Sequence, residues 1–170
     1  MSVVEANTID AKPLTAAAFK EFGDVIEVND EGVNFPINQG FTTRYHRIGN
    51  VDCRGDNASG IISIFRSTPL SLPIKIGMME RHPQGSQAFI PMGNEPYLVV
   101  VAPKGELDMS KVQVFLAQAN QGVNYHTGTW HHFCLALNNV SDFVVVDRTG
   151  DGDNCDEILI EADEQMTINF

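Results

Sequence analysis

The chain is poor in cysteine. Three cysteines stand in 170 residues, Cys53, Cys134 and Cys155, with no CxxC pair. An odd, widely spaced set makes a poor disulfide framework and supplies no paired-thiol motif. Positive charge is scarce too: 11 Lys and Arg against 22 Asp and Glu give a net charge of −11. That excludes sequence-independent binding to nucleic acid or anionic membranes, which needs a basic surface. No helix-turn-helix or basic recognition element is present. No apolar run approaches membrane-spanning length. The opening "MSVVEANTIDAK" has no basic n-region and no apolar stretch of a signal peptide. These absences predict a cytoplasmic protein, in which the N-x-S sequons at Asn57 and Asn139 are chance. There is no internal repeat, which argues against a duplicated architecture.

What is present is a core and many short strands. Hydrophobic residues make up 43% of the chain, enough for one substantial domain. The one good helical signal is "LTAAAFKEFGDVI", with Thr15 as N-cap, three alanines, and Gly23 to end it. Phe19 and Phe22 share a face that can pack on a sheet. Val25 to Val28 then reads as a short strand, and residues 29–39 as loop. Strand composition recurs at Thr42 to Val51, Ile61 to Thr68, Glu95 to Pro103 and Val112 to Ala117. "HHFCLAL" and "DFVVVDR" flank the turn "NNVS" and predict a hairpin. The pattern predicts an all-β sandwich or barrel with a short N-terminal helix. One domain, 1–170, divides into a helix-and-strand extension (1–30), a barrel core (40–150) and a C-terminal tail (151–170). "TGDGDNCDE" has a superficial calcium-loop look. Aligning Gly152 with the invariant glycine puts Thr149 and Ile158 where acids belong, so a solvated acidic turn is the better reading.

The stretch "IKIGMMERHPQGSQAFIPMG" carries chemistry. Ile74, Ile76, Met78, Glu80 and His82 alternate, so one strand face runs from apolar to ionisable. If the chain folds back after Pro83–Gly85, Gln87 joins Glu80 and His82 at one mouth. A carboxylate on an apolar face costs several kcal/mol, on the order of 3–5, unless paired. A histidine or arginine can pair with it, or a divalent cation can bind there. Imidazole, carboxylate and amide oxygen together suit Ni²⁺, Mn²⁺, Fe²⁺ or Zn²⁺. A second cluster, "GVNYHTGTWHHF", places His126, His131 and His132 at another strand end.

The two segments resemble the two cupin motifs in order and spacing. The first appears as Glu80-x-His82-x4-Gln87-x5-Gly93, and the second as Gly122 followed by His126-x-Gly128-x2-His131. Glu80 stands where the first motif has its leading His, Gln87 where it has Glu, and His126 where the second motif has Pro. "ERHPQGSQAFIPM", "GVNYHTGTWHH", "SDFVVVDR", "DNCD" and the early "RYH" together resemble the ureidoglycolate lyase family of allantoin catabolism. That resemblance implies a single cupin-type antiparallel β-barrel and usually a homodimer. It implies cleavage of ureidoglycolate to glyoxylate and urea, and a divalent metal, with nickel first. Another cupin enzyme on a small carboxylate, an ammonia-releasing amidohydrolase or an isomerase, is the alternative, and a non-catalytic ligand-binding cupin the third.

The reaction sets the candidate roles. Metal ligands are His82, Gln87, His131 and Glu80. Glu80 can instead be the base, with a pKa raised by the apolar barrel. His126 or His132 can protonate the departing urea. His131 and His132 are adjacent in a strand and face opposite ways, and His131 holds the motif position. The substrate carboxylate calls for an arginine, from Arg44, Arg66, Arg81 or Arg148. Arg81 alternates away from Glu80. Tyr45, His46, Tyr125 and Trp130 are the candidate pocket walls.

Overall fold

The computed structural model of the chain describes residues 7–170; the first six, part of the expected N-terminal extension, lie outside the described residues. Strands dominate. In chain order they are β1 (Thr8–Pro13), β2 (Gly23–Ile26), β3 (Asn34–Ile37), β4 (Thr42–Tyr45), β5 (Ser59–Ser67), β6 (Met78–Arg81), β7 (Gln87–Pro91) and β8 (Tyr97–Ala102). There follow β9 (Gln113–Ala117), β10 (Gly122–Tyr125), β11 (Trp130–His131), β12 (Leu135–Ala136), β13 (Ser141–Thr149), β14 (Asp156–Leu159) and β15 (Thr167–Asn169). One helical turn, α1 (Ala16–Phe19), sits between β1 and β2.

Two sheets face each other as a curled half-barrel, in keeping with the expected cupin-like barrel. The larger runs β14-β6-β11-β8-β9-β1-β15, with β12 also on β8; the smaller runs β2-β10-β7-β13-β5. Pairing is antiparallel except where β1 lies parallel to β9 and β15. The hairpin β3–β4 stands apart as its own two-stranded sheet.

The run Tyr97–Ala102 is apolar throughout because β8 is buried on both faces. Tyr97, Val99 and Val101 pack between the sheets with Phe89, Phe115, Val123, Tyr125, Phe143 and Val145. Leu98, Val100 and Ala102 face a second core behind the larger sheet, with Ile74, Ile76, Met79, Val114, Trp130 and Ile168. Phe19 and Phe22 plug the first core and touch Phe115 at 5.6 and 6.3 Å between ring centroids.

Four local expectations change. The helix is one turn long: Thr15 caps it by accepting from the Ala18 amide, but Gly23 already belongs to β2. A Cβ at Gly23 would sit 1.9 Å from the Asn124 carbonyl oxygen, so the glycine lets two strands touch and does not end a helix. Residues 34–37, read as part of a polar, turn-rich loop, form β3, which pairs with β4 despite its proline. The predicted hairpin across "NNVS" does not exist. β12 pairs with β8 in the larger sheet, while β13 pairs with β5 and β7 in the smaller one. Asn138, with a φ of 68°, turns the chain from one sheet to the other.

The fourth change concerns Glu80. Ile74 and Ile76 share the rear core with Met79, three residues on from Ile76, not with Met78. Strand alternation therefore slips by one residue at Gly77. Glu80 faces the space between the sheets, opposite to the isoleucines.

Candidate metal centre

Three elements from two sheets bring the polar side chains together. β6 supplies Glu80, with His82 one residue beyond its end. β11 lies beside it with His131 in register opposite Glu80. β7, in the facing sheet, begins at Gln87. The ligand atoms of Glu80, His82 and His131 all lie within 4.8 Å of one another. His82 and His131 have ring centroids 5.1 Å apart.

The backbone dictates which nitrogens face inward. His82 Nδ1 lies 2.7 Å from the Asn154 carbonyl, and His131 Nδ1 lies 3.2 Å from the Thr129 carbonyl. A carbonyl only accepts, so each Nδ1 donates and each neutral ring is left with an Nε2 lone pair. Those lone pairs meet other acceptors. His82 Nε2 stands 3.1 Å from Gln87 Oε1, and His131 Nε2 stands 3.4 Å from Glu80 Oε1. His131 Nε2 is fully buried and has no hydrogen-bond partner among the described residues. Two imidazole lone pairs, a carboxylate oxygen and an amide oxygen converge without protons between them. That is the arrangement a divalent ion satisfies, and the donor set fits a nickel, manganese, iron or zinc ion.

Charge points the same way. Burial pushes His131 below the usual imidazole range against the pull of Glu80, and burial does the same to His132. Glu80 is held below the usual carboxylate range, chiefly by its interaction with His131, against desolvation and with help from His82 and His132. The 3.4 Å contact is close enough for charge attraction but is not aligned as a hydrogen bond. The expectation of a raised Glu80 pKa is reversed, because the pull of His131, with smaller help from His82 and His132, outweighs the desolvation of a carboxylate still partly open to water. Glu80 is an anion and His131 a neutral imidazole at neutral pH.

The other candidates lie elsewhere or are engaged. Tyr125 faces the same interior, stacked on His131 at 4.2 Å. His132 is buried next to His131, with Nδ1 3.0 Å from the Phe133 carbonyl. His126 turns outward with Asn124; its Nε2 lies 3.1 Å from Asp24 Oδ2. It lines a separate cleft of about 530 Å³ with Lys20, Tyr45, His46 and Arg47. Tyr45 donates to Asp30 at 2.8 Å, and His46 packs on Phe35.

Three of the four candidate arginines have partners within the chain. Arg66 makes a two-pronged pair with Asp142 at 2.8 and 2.9 Å. Arg81 pairs with Asp156 and lies over Trp130, whose ring belongs to the rear core. Arg148 is buried and donates to the Arg54 carbonyl, the Gln84 side chain and the Asp151 carbonyl. Arg44 makes no hydrogen bond or ion pair among the described residues, and it projects from the β3–β4 hairpin.

Sequence reading passed over Asp147 and Asn154. Asp147 Oδ2 accepts from Gln87 Nε2 at 3.1 Å. A signal was there: Phe143, Val145 and Asp147 alternate along β13, so one face of that strand runs from apolar to acid. Asn154 holds Gln84 by its side chain and His82 by its carbonyl, and nothing local in "DNCD" announces that.

Comparison with known proteins identifies a family. A family model described as Ureidoglycolate lyase matches residues 6–169. A ureidoglycolate lyase of Pseudomonas syringae pv. tomato is 48% identical over 163 residues, 95% of each chain. One from Burkholderia mallei is 49% identical over 150 residues, 88% of each chain. One from Pseudomonas fluorescens is 47% identical over 162 residues, 95% of this chain and 96% of the relative. Likeness of this depth from end to end, with the strings that carry Glu80, His82, Gln87 and His131 inside the matched region, means that the chain belongs to the ureidoglycolate lyase family.

Proposed function

We propose that the protein is a ureidoglycolate lyase, a carbon–nitrogen lyase that eliminates urea from ureidoglycolate to leave glyoxylate in purine breakdown. The observation that carries the reading is the convergence of two imidazole lone pairs, one carboxylate and one amide oxygen in a chain of this family. The substrate carbon bears a hydroxyl, a carboxylate and a ureido nitrogen. Its hydroxyl proton leaves, the carbon–oxygen bond becomes a carbonyl, the carbon–nitrogen bond breaks, and urea takes up a proton. No water is consumed.

His82, His131, Glu80 and Gln87 would hold a divalent ion, nickel first, and such an ion supplies Lewis acidity that makes a neighbouring hydroxyl easier to ionise. Glu80 would hold the ion through one carboxylate oxygen, and its other oxygen is assigned the base. It is anionic at neutral pH. The proton it accepts is returned to the urea nitrogen, directly or by way of neutral His132. Tyr125, Thr129 and Asn154 fix the rings so that both Nε2 atoms keep facing inward. His126 is reassigned to the outer cleft, because Asp24 holds it there.

Arg44 is the arginine we assign to the substrate carboxylate, offered by the hairpin of a second copy. The outer face of the smaller sheet carries Ile62 and Ile64, 78% and 55% exposed, beside Val144 and Val146. An apolar surface of that kind suits a homodimer. All three cysteines are free thiols, which suits a reducing cytoplasm.

The test is to incubate the protein with ureidoglycolate, with and without a chelator, and to measure glyoxylate, urea and ammonia separately. Glyoxylate and urea in equal amounts support the lyase. Ammonia in place of urea would assign an amidohydrolase, and background glyoxylate in both metal-loaded and stripped samples would end the reading.

A further inference from the structure

We infer that Asp147 is a positioning residue that fixes which end of the Gln87 amide faces the metal centre. This rests on the metal-centre reading above. An ionised carboxylate only accepts, so Asp147 Oδ2, 3.1 Å from Gln87 Nε2, takes the NH₂ end of the amide. The opposite orientation would set two acceptors against each other. Oε1 is thereby turned to His82, 3.1 Å from its Nε2. Asn154 and Asp147 act as matched stops at the two ends of one relay. The Asn154 carbonyl takes the proton of His82 Nδ1, the Asp147 carboxylate takes a proton of Gln87, and two lone pairs are left pointing at one spot.

The relay also explains the residue type at position 87. A glutamate there would bring a second carboxylate to about the 3.1 Å separation now spanned by a hydrogen bond. Two carboxylates that close cannot both ionise. With Asp147 in place, an amide gives a neutral oxygen of fixed aim. The ligand set then carries the single negative charge of Glu80, leaving a divalent ion with net positive charge for an anionic substrate.

The experiment is a double-mutant cycle on the metal-stripped full-length protein, with Ni²⁺ affinity read by competition against a chromogenic chelator. Asp147→Leu, which keeps the bulk and offers no acceptor, is expected to weaken binding about 10–100-fold, the usual effect of losing a residue that orients a ligand. Gln87→Ala is expected to weaken it as well, and the double variant to be no worse than Gln87→Ala alone. Asp147→Asn, whose amide oxygen can still accept from Gln87, is expected to recover most of the affinity. Asp147→Ala, run through the same cycle, serves if the Leu variant does not fold. Wild-type affinity in Asp147→Leu overturns the proposal. So does an Asp147→Asn variant as weak as Asp147→Leu, or a loss that persists in full on the Gln87→Ala background, since Asp147 would then act through its charge. A wild-type protein that takes up no Ni²⁺ removes the metal-centre reading and this proposal with it, whereas wild-type affinity in Asp147→Leu leaves the centre standing.

Discussion

Tyr125 lies flat on His131, with ring centroids 4.2 Å apart and planes 7° from parallel. The tyrosine comes from β10 and the histidine from β11, in opposite sheets, so the stack ties the half-barrel shut at its polar end. Burial lifts the Tyr125 hydroxyl well above its ordinary range, so it never ionises under working conditions. Tyr125→Phe should retain the stack and most of the stability. Tyr125→Ala should cost about 3–5 kcal/mol in urea unfolding and free the His131 ring to rotate. Equal losses in the two variants would mean that the hydroxyl, and not the ring, matters.

The stability of the metal-free protein should fall as pH drops below about 6.5. Burial holds His131 and His132 below their unfolded imidazole value of 6.5, so between that value and their folded values the unfolded chain binds more protons. Stability then rises with pH across that window and is lost on acidification. A thermal-melt series from pH 7.5 to 5.0 checks this. A saturating divalent ion should raise the melting temperature most at the upper end, where the rings are free to ligate.

Arg148 should prove structural. Its guanidinium donates to Arg54, Gln84 and Asp151, and so pins the turn that carries Asn154 beside His82. Arg148→Met would strand those acceptors and cost roughly 2–4 kcal/mol. Arg148→Lys cannot reproduce the fork and should recover only part of it. Denaturant midpoints measure both, and a wild-type midpoint for Arg148→Met would refute the assignment.

The thiols should differ in reactivity. Burial pushes Cys134 up to about 11, so it stays protonated near neutrality, whereas Cys155 is exposed. In the folded protein an iodoacetamide mass-spectrometric time course should label Cys155 well before Cys134, with Cys134 reacting only after unfolding.

Gly23→Ala tests the closest strand contact. The added Cβ would meet the Asn124 carbonyl at 1.9 Å, so β2 must move off β10. The variant should melt many degrees lower or fail to fold, and a wild-type melt would show that β2 is loosely held.

The sequence alone determined the strand-rich character of the chain, the doubly buried β8, and the short list of ionisable residues placed at the ends of apolar strands. Those are local properties: alternation, β-branched runs and turn residues act within a few neighbours. It also held the family strings that matched from end to end. Tertiary structure decided the rest. The slip at Gly77 put Glu80 on the face opposite Ile74 and Ile76, since alternation fixes a face only while a strand runs unbroken. Asp24 drew His126 away, Asp142 and Asp156 engaged Arg66 and Arg81, and Asp147 and Asn154 aimed Gln87 and His82. Each of those outcomes depends on a partner roughly sixty or more residues away, because the charge and the hydrogen-bonding direction of a side chain are set by what packs against it in space.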